Sequence, residues 1–192
     1  MNPRPGPLWR VFPWNPSAPA GAPFSLTHVQ PEQTSGRFDL GNRPPVLCLA
    51  ESPEHAVGEK LQRFRGRRLT PAHLREYGLT LTVVPVTPAP SVIKAVAHLT
   101  DPKVLHRLHL PPDVIASRDR RRTQAVARRL HEDGYSGFHW WSALTGDWHS
   151  TVLFLDPDRV PTRDLTFGTP EPLSLQHPGV VRCLELLGIE PP

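Results

Sequence analysis

The chain has 192 residues, of which 38% are hydrophobic, and a formal net charge of +4. That length suits one ordinary domain with a real core, and no apolar run approaches the roughly 18–20 residues of a membrane-spanning helix. The mild positive charge is gathered in two stretches, Arg63 to Arg68 and Arg118 to Arg129; such runs are solvated faces, or surfaces for an acidic protein or a nucleic acid.

Twenty-five prolines and 13 glycines stay short of the combined share of roughly 25–30% that marks disordered chains. The prolines punctuate apolar segments, as turn and helix-start residues do. Met1-Asn2-Pro3-Arg4-Pro5 is broken by proline and lacks an apolar h-region, so it does not read as a secretory signal. A soluble, cytoplasmic protein is expected.

In chain order, Leu8-Trp9-Arg10-Val11-Phe12 reads as a first strand stopped by Pro13, followed by a Pro/Ala/Gly-rich loop from Asn15 to Pro31. Gly36-Arg37-Phe38-Asp39 is a glycine-assisted turn that presents an arginine, and a Gly-Asn-Arg-Pro-Pro turn leads on to the apolar strand Val46–Ala50. Ser52 caps a helix with Pro53 at its first position. Ala56, Val57, Leu61 and Phe64 of that helix face the core at the 3.6 period, and Glu59 sits at the edge of that face, between core and cleft. Thr70-Pro71 starts a short helix that Gly78 ends.

Leu79–Val86 alternates and is β-branched, hence a strand, and Val92–Leu99 reads as another. Thr100-Asp101-Pro102 opens a short helix. Arg118–Asp133 is the clearest helix, with Ala125, Val126, Arg129 and Leu130 on its inner edge and Gly134 as its C-cap. Phe138–Trp141 and Thr151–Leu155 are strands, and Leu175–Ile189 closes the chain with a helix begun near Pro178. With no repeat and no domain-scale linker, the expectation is a single α+β domain over residues 1–192 with a mixed, mostly antiparallel central sheet and flanking helices. Its core covers about residues 8–156, and residues 157–192 form a C-terminal extension with a helix.

Cys48 and Cys183 lie in apolar segments and read as buried thiols. Ten histidines are scattered, and His106 and His109 have no Cys or His at a zinc-binding spacing, so no metal is expected.

Three residues carry the possible chemistry. Arg37 on its own fragment reads first as a surface ion-pair residue; the functional reading is a guanidinium fork suited to bidentate binding of a diphosphate. Glu59 is either a solvated helix residue or a carboxylate aimed into a cleft. Ser142, after Trp140-Trp141, is either a hydrogen-bonded strand-end serine or a ligand-orienting hydroxyl.

Taken jointly, Gly36-Arg37-Phe38-Asp39, then Val46-Leu47-Cys48-Leu49-Ala50-Glu51-Ser52 with Ala56-x-x-Glu59 behind it, resembles the RES domain family, named for its Arg, Glu and Ser. Leu99-Thr100-Asp101-Pro102, Thr123-Gln124-Ala125-Val126-Ala127, Gly134-Tyr135-Ser136-Gly137, Ser142 and Thr151-Val152-Leu153-Phe154 follow in the family's order, so the resemblance runs from about Leu8 to Asp156. It implies a fold like that of ADP-ribosyltransferases and a bacterial toxin neutralised by a partner antitoxin of the Xre helix-turn-helix type. It also implies an enzyme that consumes NAD by hydrolysis, phosphorolysis or ADP-ribosyl transfer. Carried over, the family's arginine is Arg37, its glutamate Glu59 and its serine Ser142, with Arg10 as a further first-strand arginine. NAD is then the substrate, held by Arg37, Phe38, Arg10 and Ser142, with no metal.

The chain departs from the family in three places: Cys48 stands where many members have tyrosine, Ser136 where aspartate is common, and His149-Ser150 where asparagine is frequent. Phe38, Trp140 or Trp141 would supply the missing aromatic surface. The resemblance implies that nucleic acid is met only through the antitoxin, that no membrane is involved, and that a homodimer is allowed. The antitoxin's inserted segment, at its C-terminal end, is expected to contact the region around Arg37. Two rival readings stand beside this one. The arginine stretches and five tryptophans suit a nucleic-acid-binding protein, and Cys48 in place of tyrosine suits a catalytically inactive partner-binding module.

Overall fold

The computed structural model describes residues 6–30, 33, 35–41, 44–158, 160 and 162–191. The segment Met1 to Pro5 and the Asn42-Arg43 pair of the Gly-Asn-Arg-Pro-Pro turn lie outside the described residues. The chain begins β1 (Leu8–Pro13), β2 (Val46–Ala50), α1 (Pro53–Leu61), β3 (Arg75–Glu76) and β4 (Leu79–Pro88). It continues α2 (Pro90–Lys94), β5 (Val96–His98), α3 (Pro102–Arg107), α4 (Pro112–Ala116) and α5 (Arg120–Glu132). It closes with β6 (Gly137–Trp141), β7 (His149–Phe154), β8 (Leu165–Phe167), β9 (Glu171–Pro172) and α6 (Pro178–Leu187).

These elements resolve into two compact units, each made of separate chain segments. The first is Met1–His28, Leu49–Thr87 and Phe167–Pro192; the second is Val29–Cys48 and Pro88–Thr166. Pairs β1–β2, β1–β4, β3–β4, β4–β9 and β6–β7 are antiparallel and β5–β6 is parallel. The class is therefore α+β with mixed, mostly antiparallel pairing, as expected.

In the first unit, β4 runs against β1 from Leu8↔Val86 to Pro13↔Leu81. A two-residue turn joins β3 to β4, with Tyr77 at φ 52° and Gly78 at φ 76°, the positive values that a twisted hairpin requires at both positions. Ser52 caps α1 by accepting from the His55 N–H at 3.1 Å, and Pro53 follows at the first helical position. Ala56, Val57 and Leu61 of α1 share a core with Val180, Cys183, Leu184 and Leu187 of α6. The C-terminal segment, read from sequence as an extension, thus contributes six of the fifteen buried residues of that core. His177 caps α6, and Gly188 ends it at φ 61°, the left-handed position glycine fills without strain.

In the second unit, β6 and β7 pair from Gly137↔Leu153 to Trp141↔His149, and β5 lies parallel to β6. Val126, Ala127 and Leu130 of α5 pack with Ile115, Phe138 and Phe154. Gly137 is required by close approach: a Cβ there would meet the Val152 carbonyl and lie 3.0 Å from the Leu153 Cα. Ser136 stitches the unit together. Its Oγ donates to the Val92 carbonyl at 2.6 Å, and its N–H donates to Ala95 O at 3.0 Å.

Several expectations are corrected. Thr70-Pro71 opens only a 3₁₀ turn, Pro71–Leu74, because the chain reverses at once into the β3–β4 hairpin. Val92 belongs to the helix α2, which Pro90 starts, and only Val96–His98 is strand. The inner face of α5 is rotated from the expected one: Thr123, Val126, Ala127 and Leu130 are buried, whereas Ala125 and Arg129 are exposed. Cys183 is buried but Cys48 is exposed, since it falls on the outward phase of β2. No disulfide joins the two. Among the described residues, no helix is long and apolar enough to cross a membrane.

Candidate functional site

The second unit contains a pocket of about 610 Å³, within the range of about 300–1,000 Å³ typical of small-molecule sites. Arg37, Arg118, Asp113, Trp140, Trp141 and Ser142 line it, with Pro112, Ala116 and Ala143. Two of the residues singled out from sequence, Arg37 and Ser142, are thus brought to one cavity from opposite ends of the unit's sequence.

The arginine is placed by the α4–α5 region. Arg37 Nη2 donates to the Ile115 carbonyl at 2.7 Å and to the Ser117 carbonyl at 3.4 Å, at the C-terminal end of α4, where helix carbonyls lack intrahelical partners. The backbone of the same turn is clamped by α5. The Thr123 hydroxyl donates to the Arg37 carbonyl, and Gln124 Nε2 donates to the Gly36 carbonyl at 2.9 Å. Thr123 is fully buried. Its hydroxyl and the Gln124 amide give the Thr-Gln-Ala motif a physical purpose: they hold the arginine turn. Gly36 admits the turn because a side chain there would collide with the Asp39 carboxylate, which accepts from the Gly36 N–H.

Ser142 follows the last residue of β6. Its N–H donates to the Trp148 carbonyl at 2.6 Å, and its Oγ accepts from the Leu144 N–H at 3.1 Å, so the loop back to β7 is closed on both sides of the hydroxyl. Trp140 and Trp141 meet edge-on, with ring centroids 4.8 Å apart. Two guanidinium groups against the one carboxylate of Asp113 bias the pocket toward anions. Indole surface beside them suits a flat ring.

Phe38, expected from sequence to touch the substrate, packs in the core of the unit. Its ring lies edge-on to Phe138 at 4.9 Å, because an apolar ring next to the turn gains more from burial than from solvent. Aromatic surface in the pocket comes from the tryptophans. Arg118, read from sequence only as part of a basic run, lines the pocket as well. The one sequence sign of this is its place just before Asp119, which caps α5 by accepting from the Arg121 N–H at 2.9 Å.

Glu59 and Arg10 belong to the first unit. Glu59 projects from α1 with its side chain 42% exposed, and its Oε1 lies 3.2 Å from Nε2 of the fully buried His55 one turn earlier. Gln62 Nε2 donates to Glu59 Oε2 at 3.2 Å. This carboxylate is accordingly oriented by His55 on its own helix and by Gln62 just beyond the helix end. His55 went unnoticed among the scattered histidines; its spacing four residues before Glu59 was the available signal. Arg10 donates through both Nη atoms to the His28 carbonyl at 3.3 Å and lies 4.1 Å over the Phe12 ring. Burial lowers its guanidinium to about 10, which leaves it charged at neutral pH.

The sequence model of the RES domain family matches residues 7–175, a stretch that runs through both units. The chain belongs to that family. Among solved structures it is similar to a chain in the crystal structure of the M. tuberculosis MbcT-MbcA toxin-antitoxin complex, with a TM-score of 0.62 and 17% sequence identity over 95% of this chain and 88% of that chain. At that identity the likeness is one of fold. No curated protein matches this chain by sequence.

Proposed function

We propose that this protein is the toxin of a bacterial toxin–antitoxin pair and cleaves the bond between nicotinamide and ribose in NAD. Membership of the RES family supports the class. The observation that carries the reading is the meeting of Arg37 and Ser142 in one cationic, tryptophan-lined pocket.

In the reaction, the bond from the sugar C1′ to the pyridinium nitrogen breaks, and its electron pair leaves with nicotinamide, which becomes neutral. The sugar approaches an oxocarbenium ion, which gains from a nearby carboxylate. Family motif order assigns that carboxylate to Glu59. Water, phosphate or a protein side chain then bonds to C1′, and a proton released from the attacking group passes to the carboxylate as general base. Arg37 binds the diphosphate, with Arg118 adding positive charge. Ser142 orients the nicotinamide ribose, and an indole face of Trp140 or Trp141 packs on a ring of the substrate. No metal enters this scheme.

The partner is proposed as an Xre-type helix-turn-helix antitoxin whose C-terminal segment covers the region around Arg37, in a cytoplasmic complex. Steady-state kinetics of NAD consumption test the pocket's part. Arg37→Ala is expected to raise KM at least tenfold with kcat changed less than threefold, because it removes binding common to ground and transition states (on the order of 1.4 kcal/mol per tenfold). An unchanged KM would remove Arg37 from the site.

A further inference from the structure

Of the two arginine-rich stretches, one is folded onto a single helical face. α5 buries Thr123, Val126, Ala127 and Leu130. At 3.6 residues per turn its opposite side is centred on Ala125, with Arg121 and Arg128 on one edge and Arg122 and Arg129 on the other, all of them exposed. Arg118, just before the helix, lines the pocket, so the basic face begins at the pocket's rim. Arg122 is paired with Asp119 at 3.8 Å and Arg129 with Asp133 at 3.7 Å. Among the described residues, Arg118, Arg120, Arg121 and Arg128 have no ion-pair partner. The other stretch is built differently. Arg63 is paired with Glu76 at 2.9 Å, and the chain turns at Gly66, φ 68°, so the arginines that follow do not share a helix face.

We propose that the exposed face of α5 docks on the phosphate backbone of a DNA duplex, a contact made by this chain itself and not only through an antitoxin. Charge complementarity selects a polyanion, and guanidinium forks suit phosphate oxygens. Neighbouring arginines also repel one another along the helix until an anion neutralises them. The composition of the face decides which polyanion. It holds no large apolar or aromatic side chain, only arginines around the small Ala125, until Glu132 and Asp133 close it at the C-terminal end. A protein partner would need apolar or aromatic anchors at the centre of its interface, and a single strand would need aromatic rings on which its bases stack. Contacts to phosphates need neither. Only the choice of DNA over RNA rests on the proposed helix-turn-helix antitoxin, a DNA-binding type. Because phosphates carry no sequence information, the docking is independent of base sequence.

Fluorescence anisotropy of an end-labelled DNA duplex, titrated with the untagged full chain at salt from about 50 to about 200 mM, tests the proposal. Micromolar binding is expected at the lowest salt, equal for two unrelated sequences. The slope of log affinity against log salt should be about −3 to −4, for roughly four neutralised phosphates. The double variant Arg121→Ala/Arg128→Ala should bind at least about tenfold more weakly, with a slope smaller in magnitude by about 2. Alanine favours a helix, so this variant should keep the parent's circular dichroism. Arg65→Ala/Arg67→Ala, from the other stretch, should bind as the parent does. Absence of binding, binding undiminished in the α5 variant, tighter binding of an RNA duplex of equal length, or displacement by a glutamate-rich peptide more readily than by unlabelled duplex would overturn the assignment. NAD is absent from the assay, so the result stands or falls separately from the proposed reaction.

Discussion

Burial raises the Cys183 thiol from 9.0 to about 12, a shift that the nearby Arg65 charge only partly opposes. A thiol held neutral is neither a nucleophile nor a metal ligand, so Cys183 should be inert in the folded protein while the exposed Cys48 reacts. With a disulfide reagent at pH 8, one thiol per chain should react under native conditions and two in denaturant; two fast-reacting native thiols would contradict the burial. The same shift has a stability consequence with a definite sign. Only the unfolded chain ionises this thiol between about 9 and 12, so its contribution to stability is complete below about 9 and declines as pH rises through that window, at up to about 1.4 kcal/mol per pH unit. Denaturant melts of the parent and Cys183→Ala should therefore converge in stability as pH increases from 9 to 11. A difference that stays constant would show that the thiol titrates alike in both states.

At the scale of elements, much of the chain was legible because local rules coincide with the fold. Ser52-Pro53 and Asp101-Pro102 start helices where sequence placed them, and Gly134 takes the positive φ expected of the residue that ends α5. The misreadings have physical causes. Val92 and Ile93 look like strand residues, but Pro90 starts a helix and the buried Ser136 hydroxyl takes the Val92 carbonyl, a contact 44 residues away in sequence. Cys48 looked buried because every residue around it is apolar, yet the period of two sends its side chain outward. The Arg37 turn shows the same limit, since its clamp by Thr123 crosses 86 residues. Thr123→Val keeps the shape and removes that hydroxyl. It is expected to cost about 1–2 kcal/mol in chemical denaturation and to raise KM for NAD, since Arg37 loses its backbone anchor. A melt and a KM both equal to the parent's would show that the clamp does not position the arginine.

On the scale of the whole molecule, each unit is assembled from interleaved segments, with β2 divided between them at Cys48–Leu49. No linker or composition change marks such a division, and one family model runs through both units over residues 7–175. Candidate residues were legible as types in a family order: arginine in a glycine turn, glutamate on a proline-started helix, serine after two tryptophans. The pocket itself was not, because Arg37, Arg118 and Ser142 converge only through α4, α5 and the β6–β7 loop. His55 beside Glu59 was missed for a related reason: a fully buried histidine carries no sequence mark of its burial.

The most direct measurement is nicotinamide release from NAD by the purified chain, with and without added phosphate, alongside its Glu59→Gln variant. The parent is expected to release nicotinamide, and the variant to do so at least about 100-fold more slowly while keeping the parent's circular dichroism, since a positioned carboxylate contributes on that order. Equal rates in parent and variant, or no release by the parent under either condition, would contradict the proposed chemistry.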